Sequence, residues 1–180
     1  MREAGEFFNT FKERLIGGLN TVAIGKIEAF DVTKAKADVK LLPDGDLIVA
    51  VPVAMPQTGD FIVRLPYKKG DYVVVAFAQR DIDEIMLGGS ASDSGRMLAV
   101  DDAIVVGGLN LFSNNMPATN GADLVIAKKD LTTKITLAAD GKMELSNGAG
   151  AKITMDATGA IAIVGPNGVT ITGKTSSASY

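Results

Sequence analysis

The side chains in this sequence that could take part in acid–base or metal chemistry are carboxylates in two groups. One group is the pair Asp101-Asp102, and the other is Asp81 with Asp83 and Glu84. Paired carboxylates can act as general acid and base, and clustered carboxylates can hold a hard cation. Both patterns are also common in solvated segments. We therefore predict a turn or helix cap for the pair and an exposed loop for the cluster.

The sequence contains no His and no Cys. Without Cys there are no disulfides or thiolate metal sites, and without His the chain lacks the commonest metal ligand and the side chain that titrates near neutral pH. The Gly-rich stretches lack the Lys and the strand–helix setting of a phosphate loop. We therefore predict no catalytic site, no cofactor and no metal, in a protein that is not an enzyme. A β-rich trimeric hydrolase is the enzymatic alternative.

The net charge is −3 and no segment forms a basic patch, which disfavours binding to the phosphates of a nucleic acid. The first 18 residues carry too many charges for a secretory signal. No apolar run approaches the ~18 residues needed to cross a bilayer. We expect a soluble protein that is made in a cytoplasm and has no nucleic-acid partner.

The elements that would position a site begin with residues 1–20, which are predicted to form an amphipathic helix. Apolar residues recur there every four positions, and Gly17-Gly18 supplies the stop. A terminal helix with three Phe presents a large apolar face, which could pack on its own domain or dock on a partner. The candidate docking residues are Phe7, Phe8, Phe11 and Leu15.

Residues 21–100 are predicted to form a small β-domain. Short runs of alternating apolar residues are separated by turn sequences such as Pro43-Asp44-Gly45. Five or six strands in so short a segment favour a small barrel, with an OB-type barrel as the leading option. The predicted strands lie around residues 22–24, 35–41, 47–53, 61–65 and 72–77, and residues 101–132 are predicted to be a connector.

From residue 133 to residue 180 the sequence becomes periodic. Gly141, Gly150, Gly159 and Gly168 recur every nine residues, and Lys134-Ile-Thr-Leu recurs as Lys152-Ile-Thr-Met eighteen residues later. Each nine-residue unit is therefore predicted to be one short strand and one turn. The apolar residues between these turns are Ile135, Leu137, Met143, Leu145, Ile153, Met155, Ile161, Ile163, Val169 and Ile171.

One chain cannot enclose these apolar residues, because each unit offers only two or three of them along a thin edge. Three chains wound together would close around a common axis, and full burial of each side chain would contribute roughly 1.5–3 kcal/mol. We therefore predict a mainly β protein that ends in an intertwined trimeric β-helix or β-prism, with these ten residues on the trimer axis. A single-chain β-solenoid is the alternative, although it usually needs longer coils.

The middle of the chain and the order of its parts resemble a known family. The string Gly-Asp-x-Val-x-x-x-Phe-x-x-Arg-x-Ile-Asp runs from Gly70 to Asp83, between a predicted barrel and a repetitive β-stack. The other matching positions are Pro52-Val53, Phe61, Pro66, Gly88-Gly89, Arg96, Asp102-Ala103 and Gly108-Leu109. The chain resembles the central spike of contractile phage tails, the membrane-piercing needles of the baseplate assembly protein V family and its relatives.

The resemblance implies an OB-fold barrel, a homotrimer and a C-terminal β-helix that serves as the needle. It also implies that the OB domain binds the tail hub protein, where the N-terminal helix would contribute Phe7, Phe8, Phe11 and Leu15. The needle would cross the host envelope when the sheath contracts. The expected location is the tail baseplate of the virion, after assembly in the host cytoplasm.

Related needles often hold an apical iron ion with paired His, and because this sequence has no His that site cannot form here. Residues 173–180 are polar and lose the period, which leaves a self-capped tip and a separate tip protein both open. A non-histidine ion in the needle and an injection device derived from a phage are also open. The alternative function is an OB-type module that binds nucleic acid or carbohydrate on a β-stalk, which the acidic middle region disfavours.

Overall fold

The computed structural model describes residues 6, 9–12, 19–43, 45–90, 94–115 and 120–172. Within these residues the chain is mainly β, with two five-stranded antiparallel sheets and few helical turns, which confirms the predicted mainly β class. The chain divides into two compact units, residues 1–112 and residues 113–180, and each unit contains one sheet. No helix in these ranges is long and apolar enough to cross a membrane.

The first unit is built on a sheet in which the longest strand is central. Its strands are β1 (Val22–Asp31), β2 (Lys36–Leu42), β3 (Leu47–Pro52), β4 (Tyr72–Phe77) and β5 (Ala103–Gly108). Their order is β3-β2-β1-β4-β5, and every neighbouring pair is antiparallel. A short helix (Asp83–Met86) and a 3₁₀ turn (Val100–Asp102) lie between β4 and β5 in the chain.

Alternation along these strands places one set of side chains in a core. On β4, Val73, Val75 and Phe77 are buried and the residues between them are half-buried, as expected for a strand with one face on a core. Gly25 on β1 is required by this packing, because a Cβ there would collide with Val39. The remaining apolar core residues are Ile27, Ala37, Ile48, Val51, Val53, Ala103 and Val105.

The first sheet bends at three irregularities in its ladders. The pairing register shifts between Ile27 and Ala29, between Ala37 and Val39, and between Val74 and Val75, and such bulges increase the local twist of a sheet. The outer strands meet at one point, where Val53 forms a parallel bridge with Val105 and the Ala54 N–H donates to the Val105 carbonyl at 2.8 Å. The two edges of the sheet therefore touch beyond the end of β3.

The second unit contains a meander of five short strands. They are β6 (Leu124–Ala127), β7 (Lys134–Leu137), β8 (Met143–Ser146), β9 (Lys152–Met155) and β10 (Ile161–Val164). Each strand pairs with the next one along the chain, in the order β10-β9-β8-β7-β6, and each ladder keeps an uninterrupted register. Each strand has four residues, so this sheet is regular where the first one is bent.

The predicted turn glycines lie where the strands of this meander reverse. In the β8–β9 turn the Gly150 N–H donates to the Asn147 carbonyl, and the Asn147 N–H donates to the Ala151 carbonyl. Gly150 and Gly159 have φ of 83° and 92°, a left-handed conformation that glycine adopts without steric cost. The nine-residue period is therefore the repeat of a hairpin meander.

Two parts of the sequence differ in the structure from what the pattern predicts. Residues 61–65 are not a strand of the sheet, and this segment contains only one end of an isolated bridge, Gln57–Ile62. β5 and β6 lie within residues 101–132, which were predicted to be a connector. Both misses concern short apolar runs, for which local pattern does not specify whether a partner strand is present.

Candidate functional site

The feature of the second unit that points to a function is one face of its sheet. The pairing places ten apolar side chains on that face in two rows, each of which crosses all five strands. One row is Leu124, Leu137, Met143, Met155 and Ile161, and the other is Ile126, Ile135, Leu145, Ile153 and Ile163. We call these ten residues the apolar face.

The apolar face is uncovered in a single chain. Its ten side chains are between 39% and 65% exposed, and none of the described residues from 120 to 172 is buried. Soluble monomers rarely expose so large a continuous apolar patch, and an isolated sheet with no layer against it does not have a core. The apolar face is therefore the candidate interaction surface of the second unit.

The opposite face of the same sheet is mostly polar and better covered. Thr136, Glu144 and Thr154 form one cross-strand row and are each half-buried. Lys142 Nζ donates to Glu144 Oε2 at 2.9 Å, and this hydrogen bond lowers the pKa of the Glu144 carboxyl and raises the pKa of Lys142. A strand period of two thus separates the second sheet into a polar face and an apolar face.

The turns hold the rows in register with side-chain oxygens as well as with glycines. Asp156 Oδ1 accepts hydrogen bonds from the Thr158 hydroxyl and from the N–H groups of Thr158 and Ala160, at 2.7–2.9 Å. These bonds, above all that of the Thr158 hydroxyl, lower the pKa of Asp156. Since a shift of one residue would move every side chain to the other face, these turns keep the apolar rows aligned.

Eight of the ten predicted trimer-axis residues lie on the apolar face. They are Ile135, Leu137, Met143, Leu145, Ile153, Met155, Ile161 and Ile163. Val169 and Ile171 come after β10 and are exposed outside any strand. Their assignment to a trimer axis stays a prediction, as does that of the other eight.

Sequence reasoning missed two members of the apolar face, Leu124 and Ile126 on β6. The β6–β7 turn breaks the nine-residue period, because Leu131 takes the left-handed position that glycine takes in the later turns. Leu131 also lies ten residues before Gly141 rather than nine. The alternation of Leu124 and Ile126 was the available signal, but it lay ahead of the regular repeat.

The predicted docking residues of the N-terminal helix are only partly described. Phe7, Phe8 and Leu15 lie outside the described residues. Phe11 is helical and exposed. Their role in a hub contact stays a prediction.

The carboxylates singled out in the sequence meet at Arg96 in the first unit. Arg96 Nη2 donates to Asp81 Oδ1 at 2.6 Å, to Asp102 Oδ1 at 2.8 Å and to Asp83 Oδ2 at 2.9 Å. Asp102 is fully buried, and its Oδ1 also accepts from the Ile82 N–H at 3.2 Å. The cluster ties the segment before β5 to the segment after β4.

Hydrogen bonds and ion pairs in this cluster shift the pKa values of two of its members, Asp81 and Arg96. The Asp83 N–H and the Ser94 hydroxyl, together with Arg96, lower the pKa of Asp81. Hydrogen bonds to Asp83 and Asp102 raise the pKa of Arg96. The three carboxylates have oxygens within 4.8 Å of one another, but the Arg96 guanidinium lies among them. The arrangement is an ion-pair cluster that joins the two segments, in which the positive charge comes from the chain itself.

The two carboxylate groups of the sequence are therefore rearranged by the fold. Asp81 and Asp83 come together with Asp102, whereas Glu84 lies in the first turn of the short helix and takes no part in the cluster. Asp101 is exposed in the 3₁₀ turn beside Asp102. The predicted turn for Asp101-Asp102 is present. The burial of Asp102 and its pairing with Arg96 could not be read from sequence spacing.

One family model matches the chain. Residues 24–108 match the model described as the phage protein Gp138 N-terminal domain, which spans most of β1 and all of β2 to β5. No curated protein matches the chain. The match covers slightly less than half of the sequence and ends before the second unit begins. It indicates a phage protein.

Proposed function

We propose that this chain is the central spike of a contractile phage tail. It is a structural homotrimer of the tail baseplate, bound to the tail hub, that pierces the host cell envelope when the sheath contracts. It acts by stiffness rather than by catalysis. The observation that carries this proposal is the uncovered apolar face of the second sheet, which is joined to a domain that matches a phage family model.

Copies of the same chain are the favoured cover of the apolar face. Because about half of each side chain is already covered, hiding the remainder contributes roughly 1 kcal/mol per residue, or on the order of 10 kcal/mol per chain. Three identical faces around an axis would all be covered at once by the same contact. Closed symmetric assemblies of this kind are the common form of soluble oligomers.

The regularity of the second sheet is compatible with a stiff shaft. Every strand is hydrogen-bonded to the next without a register shift, so the ladder has no built-in bend. In a trimer the side edges of each sheet would pair with or lie against those of a neighbouring copy, which removes open edges. These properties support a needle rather than a flexible stalk.

The first unit is the part of the chain that we assign to attachment of the spike. A five-stranded antiparallel sheet whose outer strands meet at Val53 and Val105 is compatible with a small, partly open barrel of the OB type. In the proposed spike this domain and the N-terminal helix bind the hub protein. The opposite end of the chain would carry the tip, either self-capped or joined to a separate tip protein.

Mass in solution and position in the virion test this proposal. Light scattering of the full chain should give about 56 kDa, three times the 18.7 kDa of one chain. Antibodies against the second unit should label the distal end of the baseplate on intact virions. A mass of one chain, or label found only away from the baseplate, would overturn the proposal.

A further inference from the structure

A hairpin between β3 and β4 projects apolar side chains from the first unit. It runs from Pro56 to Leu65, and we call it the 56–65 hairpin. The Thr58 N–H donates to the Phe61 carbonyl at 2.8 Å, and the Val63 N–H donates to the Pro56 carbonyl at 2.9 Å. The hairpin is therefore closed by its own backbone hydrogen bonds.

Both faces of the hairpin carry uncovered apolar side chains. Phe61, Ile62, Val63 and Leu65 are between 49% and 78% exposed. Because consecutive residues of an extended segment point to opposite sides, Phe61, Val63 and Leu65 lie on one face. Ile62 lies on the other face, together with Arg64. Contact with a single flat surface would cover only one of these faces.

The hairpin also carries one acidic and one basic side chain without an ion pair. Asp60 and Arg64 are both exposed, and neither forms a salt bridge with another residue in the part of the chain that the structure describes. A surface with one charge of each sign beside an apolar patch is electrostatically complementary to a second copy of itself.

We propose that the 56–65 hairpin forms a second contact between copies of this chain, at the level of the first unit. This inference rests on the proposed trimer. In a three-fold ring each hairpin has two neighbours, so both of its faces are covered and Asp60 of one copy lies within reach of Arg64 of the next. The trimer is then held at two levels, by the apolar face of the second unit and by the hairpins of the first.

The length of the connection makes such a contact effective. Residues 109–123 separate β5 from β6, and at ~3.5 Å per residue they span at most about 50 Å. Copies joined through their second units therefore hold their first units at an effective concentration in the millimolar range. At that concentration even a small apolar contact between hairpins is populated.

The experiment uses cross-linking in the full chain, which is convenient because the sequence has no Cys. Gly59→Cys places a thiol in the turn of the hairpin without strain, since a Cβ at Gly59 has no atom within 4 Å and the apolar side chains remain. Lys34→Cys, in the exposed β1–β2 turn, is the matched control. With a short bis-maleimide, Gly59→Cys should form covalent dimers at least ~10-fold faster than Lys34→Cys.

Charge exchange gives a second readout. Because charges near the thiol also change its own reactivity, each cross-linking rate is divided by the rate at which the same variant reacts with a mono-maleimide. In the Gly59→Cys background, Arg64→Asp should lower the cross-linking rate, because it places two acidic groups at each contact. Combining Arg64→Asp with Asp60→Arg should restore the rate, since opposite charges then meet again.

The outcomes separate this inference from the proposed spike. Equal cross-linking in both thiol variants of a chain that scatters as a trimer would overturn the hairpin contact and leave the spike intact. A mass of one chain would overturn both. Slow cross-linking in the isolated trimer, together with protection of the hairpin only in assembled tails, would assign it to another tail protein and so overturn the contact between copies.

Discussion

The sheets of the two units have the same number of strands, but only the first sheet buries its apolar side chains within a single chain. Each sheet has five antiparallel strands. The first encloses a core that includes Ile27, Val39, Val73, Val75 and Val105, all fully buried, whereas the second has no buried residue among those described. Secondary structure content therefore does not decide whether a domain can stand alone. The decisive property is whether one chain supplies a second layer for its own apolar face.

The difference between the sheets comes from their ladders. The first has strands of six to ten residues and three register shifts, which let it curl until β3 and β5 touch. The second has four-residue strands, turns of nearly constant length and no register shift, so it stays regular and leaves its face open. Bulges bend a sheet onto itself, whereas a strict repeat extends it.

The strongest test of this contrast is Ile153→Asp in the centre of the apolar face. A carboxylate there would be buried between copies without a partner, which costs several kcal/mol in each chain. We expect the mass by light scattering to fall from that of a trimer to that of one chain, while hydrogen exchange still shows a protected core in the first unit.

The control for this variant is Thr154→Lys, on the same strand but on the polar face, where the new ammonium faces Glu144. This variant should keep the mass of a trimer. If Ile153→Asp also kept that mass, the apolar face would not be the contact between copies.

The next largest effect is expected from Ile27→Ala in the core of the first unit. Removing a fully buried Ile side chain leaves a cavity and should lower the free energy of unfolding by ~2–5 kcal/mol. Because this core is made within one chain, the trimer mass should not change. Urea unfolding monitored by hydrogen exchange in β1 and β4 measures the loss.

Val22→Ala on the same strand is the control, since Val22 is exposed and its loss should cost no more than ~0.5 kcal/mol. Dissociation of the proposed trimer by Ile27→Ala would show that the contact between copies also depends on the core of the first unit.

A smaller effect is expected at the turns that set the regularity of the second sheet. Gly159 has φ of 92° and open space around the position of a Cβ, so Gly159→Ala tests backbone conformation alone. It should cost ~1–2 kcal/mol per chain. Thermal unfolding of the second unit gives the measurement.

Leu131→Gly is the reciprocal change, because Leu131 has φ of 56° in the equivalent position. It should leave the unfolding temperature nearly unchanged. The entropy that glycine loses on folding, ~0.5–1 kcal/mol, and the loss of the half-buried Leu131 side chain together offset the relief of backbone strain. Equal unfolding temperatures for Gly159→Ala and the unchanged chain would show that the turn does not limit stability.

The smallest effect is an acid dependence of the same turns. The hydrogen bonds that Asp156 accepts hold its pKa below the ordinary value of 3.8. The stabilisation is therefore complete above about pH 4 and is lost as the pH falls through the lower pKa of the folded state. Acidification should lower the unfolding temperature of the second unit more in the unchanged chain than in the Asp156→Asn variant. The side-chain amide oxygen in that variant still accepts the turn hydrogen bonds but does not titrate.

The comparison between the unchanged chain and Asp156→Asn is made by thermal unfolding from pH 6 downwards. The two curves of unfolding temperature against pH should converge as Asp156 is protonated. Parallel curves over the whole range would assign the acid sensitivity to other carboxylates, of which Glu144 and Asp130 also have lowered pKa values.

The sequence predicted most accurately those features that depend on neighbouring residues. The turn at Gly150 and the strand pattern around Ile153 are set by backbone preferences and by a period of two, so both appear where the pattern places them. The hairpin at Phe61 was misread because its alternation is that of a strand, while no neighbouring strand is there to pair with most of it. The partner of Asp102 was not predicted, because a short local pattern carries no information on which distant side chains meet.

By itself, the sequence determined that the chain is mainly β, that from residue 133 onwards one short strand and one turn alternate every nine residues, and that no His or Cys chemistry takes place. Only the tertiary structure decided that β5 and β6 belong to different sheets, that Val53 meets Val105, and that Arg96 gathers three carboxylates around it. The physical reason is the distance along the sequence between the residues that interact. Turns and strand periods follow from interactions between near neighbours, whereas the closing of an edge or the pairing of a buried charge depends on how a whole sheet bends.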